Sequence, residues 1–213
     1  MRVVIAALLS ASFIFCTSAV VKKQRKTTPD TPVVTVGYLL YEPHVTTVTW
    51  QSRFNSSLRE VHKQALRWLR GQIYFRLTLQ TWSIEQVDSY MSSILDNLKK
   101  NHEEVNPFTA LYYVGQQAKK ITSPPDILCL VTQTPLTIYK GGFGSYHPLC
   151  EVVVPLLLTF NSTNVPATGE NLGFLIRDTL NITNLLTWYR MKPEEKKRRF
   201  KDCRYQREFK HQN

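Results

Sequence analysis

The chemistry most worth testing in this chain is zinc-assisted hydrolysis, because a His-Glu pair occurs in the run His102-Glu103-Glu104-Val105-Asn106. A zinc helix needs two imidazoles one turn apart to grip the metal and a glutamate to activate its water. Here Asn106 stands where the second imidazole is required, and the run falls at a junction between helices, so a solvated turn is expected. The other place for such a helix is the stretch Asp126 to Thr183. It reads as a buried strand over Ile127 to Thr132, a connection with Gly141, Gly142 and Gly144, a second apolar strand from Val152 to Phe160, and a polar link from Asn161 to Thr168. A helix over Gly169 to Leu180 follows, with neither histidine nor cysteine. Of the five histidines, His44, His62 and His102 precede this stretch, His147 lies in its glycine connection and His211 is near the end of the chain, so no ligand pair can form on that helix.

Other reaction types find less footing. Gly141-Gly142-Phe143-Gly144 lacks the lysine and the helix start of a phosphate loop, so its glycines are expected to turn the backbone or run along a sheet edge. No Gly-x-Ser-x-Gly elbow occurs, and the cysteines suit structural roles better than a Cys-His nucleophile. Trp50, Trp68, Trp82 and Trp188 fall in or beside packed elements and read as core or edge residues. The expectation is a protein with no catalytic residues, no metal and no cofactor.

The elements that would position any site follow from periodicity. Val33 to Tyr41 is rich in β-branched and aromatic residues and reads as the first strand. Ser56 or Ser57 can cap a helix with Leu58, Val61, Ala65, Leu66 and Leu69 at helical spacing, ended by Gly71. Ile73, Phe75, Leu77 and Leu79 alternate with polar residues through Gln80, the pattern of a half-buried strand. Ser83 and Gln86 fit a capping box for a helix whose stripe is Ile84, Val87, Met91, Ile94, Leu95 and Leu98. Asn106-Pro107 starts a further helix carrying Phe108, Leu111, Val114 and Ala118, closed off by Pro124 and Pro125. Strands alternating with helices predict an α/β domain, a mixed twisted sheet with flanking helices.

The ends of the chain differ from this body. Residues 1–19 carry Arg2, an apolar run from Val3 to Phe15 and small residues to Ala19, which reads as a signal peptide. Residues 20–32 form a basic leader, 33–190 the single domain, and 191–213 a basic C-terminal tail. No later run reaches the roughly 18 uninterrupted apolar residues of a transmembrane segment, so an exported product is expected. Sequons at Asn55, Asn161 and Asn181 agree with that route and must be on the surface if used. Three cysteines remain, Cys129, Cys150 and Cys203, of which two should pair in an oxidising compartment. The expected pair is Cys129 with Cys150, since a loop of about twenty residues closes readily.

The formal net charge is +11. Lys192 to Lys210 hold nine bases against four acids, and Lys196, Lys197, Arg198, Arg199, Lys201 and Arg204 are the expected basic patch. Outside the cell the acidic partners of such a patch are glycosaminoglycans, anionic surfaces or acidic proteins, with no nucleic acid; a solvated chain end is the plainer reading.

Pro125-Asp126-Ile127-Leu128-Cys129-Leu130-Val131-Thr132, then Gly144 and Cys150, then a helix, resembles the middle of the reprolysin-type metalloproteases of tick saliva. Met191 and Phe200-Lys201-Asp202-Cys203 look like eroded forms of that family's Met-turn and late Phe-Ser-x-Cys segment. The resemblance spans roughly Val33 to Phe209 and implies a shortened metzincin-like domain without the zinc motif, Leu175, Ile176 and Thr179 standing about where ligands and catalytic groups would be. The whole pattern is similar to secreted salivary proteins of hard (metastriate) ticks, immunosuppressant type. That likeness implies a non-catalytic protein that binds a host immune-cell or plasma protein and blunts T-cell and cytokine responses. A glycosaminoglycan-binding anti-haemostatic protein is the alternative, and a working zinc protease the third reading.

Overall fold

The structure is a computed structural model that describes residues 31–41, 49–101 and 104–203. The expected signal, nearly all of the leader, His44, His102, Glu103, Arg204 and His211 lie outside the described residues.

Five strands form one mixed sheet: β1 (Val33–Leu40), β2 (Thr78–Gln86), β3 (Ile127–Thr132), β4 (Gly142–Gly144) and β5 (Val154–Thr159). Their order is β2-β1-β3-β5-β4, all parallel except β4, which runs antiparallel to β5 along one edge. The expected α/β class with a mixed sheet is therefore what the chain forms. Every residue of β1 and β3 is buried, which explains why these strands read as continuous apolar runs: helices cover both faces. Side-chain alternation then sorts the core in two. Val34, Val36, Tyr38 and Leu40 face a layer made by α1 (Thr49–Ile73), α4 (Val165–Asp178), α5 (Leu185–Arg190) and the residues Phe200 and Cys203 that follow α6 (Pro193–Arg198). Leu39, Tyr41, Leu128 and Leu130 face α2 (Ser89–Asn101) and α3 (Pro107–Lys120).

Helix α1 is the main brace of the first layer. Trp50, Phe54, Leu58, Val61, Ala65, Leu69 and Ile73 form its buried stripe, and each of the larger aliphatic and aromatic side chains taken out of water contributes about 1.5–3 kcal/mol. Helix α4 crosses α1 closely because Gly169 and Gly173 have no side chain to hold it off. A Cβ at Gly169 would stand 2.7 Å from the Val61 carbonyl oxygen, and one at Gly173 2.9 Å from that of Ala65. Asn164 and Asn106 cap α4 and α3, the Asn106 carboxamide accepting from the Phe108 and Thr109 amides.

Several boundaries differ from expectation, each for a tertiary reason. Ile73 ends α1 instead of starting a strand, and Tyr74 turns the chain with φ of 48°. The strand starts at Thr78 and runs through Ser83 to Gln86, because the register with β1 pairs Val33 with Thr78 and Leu40 with Gln86. Ser83 therefore caps nothing; the Asp88 carboxylate accepts from the Met91 amide at 2.6 Å and starts α2. Gly71 does not stop α1, since it is exposed and costs the helix only its weak propensity. Helix α4 begins at Val165, four residues earlier than expected, on its Asn164-Val165-Pro166 start.

The segment set apart as a tail is packed onto the domain as far as Cys203. Phe200 is buried and stacks on Phe75 at 5.6 Å, and the Trp188 indole and Tyr189 hydroxyl donate to the Ile73 and Gln72 carbonyls. Helix α5 thus satisfies carbonyls that the last turn of α1 leaves without intrahelical partners.

Candidate functional site

The helix that follows β5 presents apolar and amide chemistry. Leu172, Leu175 and Ile176 of α4 are buried, and Thr179 donates its hydroxyl to the Ile176 carbonyl at 2.7 Å. On the open side the Arg177 guanidinium lies 4.6 Å from the Phe174 ring centre and 5.4 Å from that of Trp68, and it pairs with Asp178. Two imidazoles occur among the described residues, and the fold holds them apart from this helix. His62, on α1, shares a 2.7 Å hydrogen bond with the Tyr38 hydroxyl, and burial pushes its pKa down to about 4, so it is a neutral structural group at physiological pH. His147 lies within 3.2 Å of the Ser145 hydroxyl through Nδ1, which also faces the Ser145 carbonyl at 3.2 Å. No carboxylate among the described residues hydrogen-bonds that imidazole, so the pair lacks the orienting acid of a nucleophile-base arrangement.

Among the described residues one cluster has metal-ligand chemistry: Asp126, Cys150 and Cys203, buried, with ligand atoms within 4.8 Å of one another. It does not fit the zinc ion that a protease layout implies. Both sulfurs are joined in the Cys150–Cys203 disulfide, and Asp126 Oδ2 accepts from the Thr35 amide at 2.8 Å and the Thr35 hydroxyl at 2.7 Å. That disulfide corrects the expected Cys129–Cys150 pair. Cys129 points into the core of β3 as a free thiol that burial pushes well above its ordinary range, while Cys150 reaches the docked C-terminal segment. Sequence separation favoured the shorter loop; the longer one forms where the segment carrying Phe200 and Cys203 packs into the core.

The expected basic patch is only partly a surface. Lys196 is buried with its ammonium 5.2 Å from the Trp188 ring centre, and burial lowers its pKa. Arg198 lies 3.8 Å from Glu195 and Lys201 lies 3.9 Å from Asp202, leaving Lys197 and Arg199 exposed without such a neighbour, and Arg204 is outside the described residues. Asn55, Asn161 and Asn181 are all exposed, on α1, after β5 and after α4 respectively. The Asn161 carboxamide oxygen accepts from the hydroxyl of its own sequon threonine, Thr163, at 2.7 Å.

Two hollows stand out that sequence reading missed. The first is a groove of about 700 Å³ between α3 and the β4–β5 side of the sheet, lined by Phe108, Tyr112, His147, Val152 and Pro155 among others. Phe108 and Tyr112 are 64% and 60% exposed, unlike their buried neighbours Leu111 and Val114. Phe108 meets Phe143 edge-on at 5.1 Å, and Tyr139 stacks on Phe143 at 4.8 Å, so two further rings adjoin the groove through Phe108. The sequence signal was the i, i+4 aromatic pair on α3, which helical spacing alone assigns to the core. The second hollow, of about 860 Å³, lies between α1 and β2 and is lined by Arg59, His62, Lys63, Gln80 and apolar floor residues.

No protein-family model matches the chain, and no curated protein does. Among solved structures, one described as "Structure of a chaperone-substrate complex" is similar at a TM-score of 0.37 and 8% identity, over 65% of this chain and 25% of that chain. The chain thus spans about a quarter of that structure's length, and the likeness is too distant to bear on function.

Proposed function

We propose that this chain is a secreted, non-catalytic binding protein of the hard-tick saliva immunosuppressant type, which engages a host immune-cell or plasma protein on a metzincin-like scaffold without its zinc ligands. The observation that carries this reading is the aromatic groove on α3. Two exposed rings, Phe108 and Tyr112, line an open hollow, with Phe143 and Tyr139 adjoining through Phe108, and aromatic side chains held rigid at a surface are the usual anchors of protein interfaces. Export is supported by the Cys150–Cys203 disulfide, by the three exposed sequons and by the finding that no helix among the described residues is long and apolar enough to cross a membrane. The oxidised sulfurs beside Asp126 and the helix α4 side chains support a role without metal chemistry.

The test compares the parent chain with Phe108→Glu/Tyr112→Glu for saturable binding to host leukocyte membranes and to fractionated plasma. Both positions are exposed, so folding should survive, and about tenfold or more of the affinity should be lost if these rings are interface anchors. Equal binding by both proteins contradicts the reading. So does stoichiometric zinc in the purified protein together with chelator-sensitive cleavage of casein.

A further inference from the structure

The outer face of α1 carries an ordered run of positive charge. This helix has five bases, Arg53, Arg59, Lys63, Arg67 and Arg70, against one acid, Glu60. Arg59, Lys63, Arg67 and Arg70 are spaced four, four and three residues apart, so at 3.6 residues per turn they stand one above another on a single face. All four are exposed, opposite the stripe that Val61, Ala65 and Leu69 bury against the sheet. Glu60 is held by Lys63 at 3.2 Å and by the Gln64 amide at 2.6 Å, and Arg59, Arg67 and Arg70 are in no ion pair among the described residues. From Arg59 to Arg70 the ridge is about 16 Å long.

Each end of the ridge opens into a hollow of the same sign. Arg59 and Lys63 line the groove between α1 and β2, where Thr78, Gln80 and Thr81 add polar groups over a floor of Val33, Leu58 and Leu79. Arg70 lines a second hollow, of about 490 Å³, with Arg76, Tyr74 and Thr31. Among the described residues no acidic side chain lines either.

We propose that this ridge and its two hollows bind a linear sulfated polysaccharide of the glycosaminoglycan class, laid along α1 on the face of the sheet away from the aromatic groove. Charge complementarity selects the occupant. Evenly spaced cations match a chain that repeats its anionic groups, and three of the four are arginines, whose planar fork grips sulfate or carboxylate with two hydrogen bonds. A membrane surface is disfavoured because no large apolar side chain is exposed between Arg59 and Arg70 to enter lipid. The inference is independent of host-protein binding at α3, since the two surfaces lie on opposite layers and share no residue.

The experiment uses the full secreted chain and heparin as the probe, with affinity measured by calorimetry and by salt elution from immobilised heparin. Arg67→Glu/Arg70→Glu is compared with Arg198→Glu/Arg199→Glu, which changes the net charge equally but lies on the C-terminal segment. The parent should elute well above physiological salt of about 0.15 M, where solvent-exposed charges are screened beyond about 8 Å. The α1 variant should lose about tenfold or more in affinity and the control less than about threefold, because only the former removes phosphate-like contacts made in register. Arg67→Ser/Arg70→Ser reads the same contrast should the charge reversal fail to fold. Equal weakening of the two variants, parent elution at or below physiological salt, or equally tight binding of poly-glutamate or phosphatidylserine vesicles would overturn the proposal.

Discussion

Two basic segments of this molecule look alike in composition and differ in what they do. The C-terminal one, Lys192 to Lys201, is the denser in sequence, yet Lys196 is buried against Trp188, Arg198 and Lys201 sit beside acids, and Phe200 and Cys203 fasten the segment to the core. Helix α1 spreads four of its five bases over residues 59–70, and their helical spacing leaves Arg59, Lys63, Arg67 and Arg70 side by side in solvent. Linear density of charge is thus a poor guide to a charged surface. What matters is the phase of the bases relative to the buried stripe, and whether acids or rings nearby have already engaged them.

If that contrast is right, substitutions in the C-terminal segment should act on stability and those on the outer face of α1 on binding. The largest effect is expected for Phe200→Ala, which empties a fully enclosed site beside Phe75 and should cost about 3–5 kcal/mol in urea unfolding while leaving heparin affinity at its parent value in folded protein. A solvated tail would instead lose less than about 0.5 kcal/mol.

The inner flank of α1 gives the next effect. His62 has a folded pKa of about 4 against an ordinary 6.5, so the unfolded chain binds the proton more readily between those values. Stability contributed by the neutral imidazole is fully present above pH 6.5 and is lost as pH falls toward 4, by about 3 kcal/mol. Burial is what disfavours the charged ring, and the hydrogen bond to the Leu79 backbone offsets it only in part. Urea unfolding at pH 7 and pH 4 should show His62→Gln losing less stability than the parent by that margin; equal losses would place the titration elsewhere. Least of all should change with Arg67→Ser/Arg70→Ser, whose unfolding free energy should stay within about 0.5 kcal/mol of the parent while heparin affinity falls. A stability loss beyond about 1 kcal/mol would mean that these arginines brace the fold after all.

The parts of the fold that the sequence displayed are those whose cause is local or uniform. Val33 to Leu40 and Ile127 to Thr132 are buried on both faces, so no partner is needed to recognise them, and Asn106-Pro107 carries its own cap. What escaped depends on contacts far along the chain. Ile73, Phe75, Leu77 and Leu79 do all face the first core layer, but as a helix end, a linker and a strand start, because β1 fixes the register of β2 from Thr78 onward. The disulfide was misassigned because Cys150 and Cys203 are 53 residues apart and meet through the tertiary packing that also buries Phe200. For the candidate site the loss was greater. Phe108 and Tyr112 obey helical spacing as core residues do, and only the placement of β4 and β5 leaves them open at the edge of a groove. The basic ridge on α1 was within reach of the sequence, since Arg59, Lys63, Arg67 and Arg70 all fall inside the helix expected up to Gly71, but the denser C-terminal run of bases drew the expected patch instead.

The two surfaces also suit each other. A polysaccharide held along α1 would leave the aromatic groove on the opposite layer free to meet a host protein. The most direct test of recognition through that groove is proliferation and cytokine release by mitogen-stimulated host lymphocytes, treated with the parent chain, Phe108→Glu/Tyr112→Glu or Arg67→Glu/Arg70→Glu. Suppression by the parent and by the α1 variant, with loss of suppression in the groove variant, is the expected result. Undisturbed lymphocytes with the parent chain, or full suppression by the groove variant, would contradict the account.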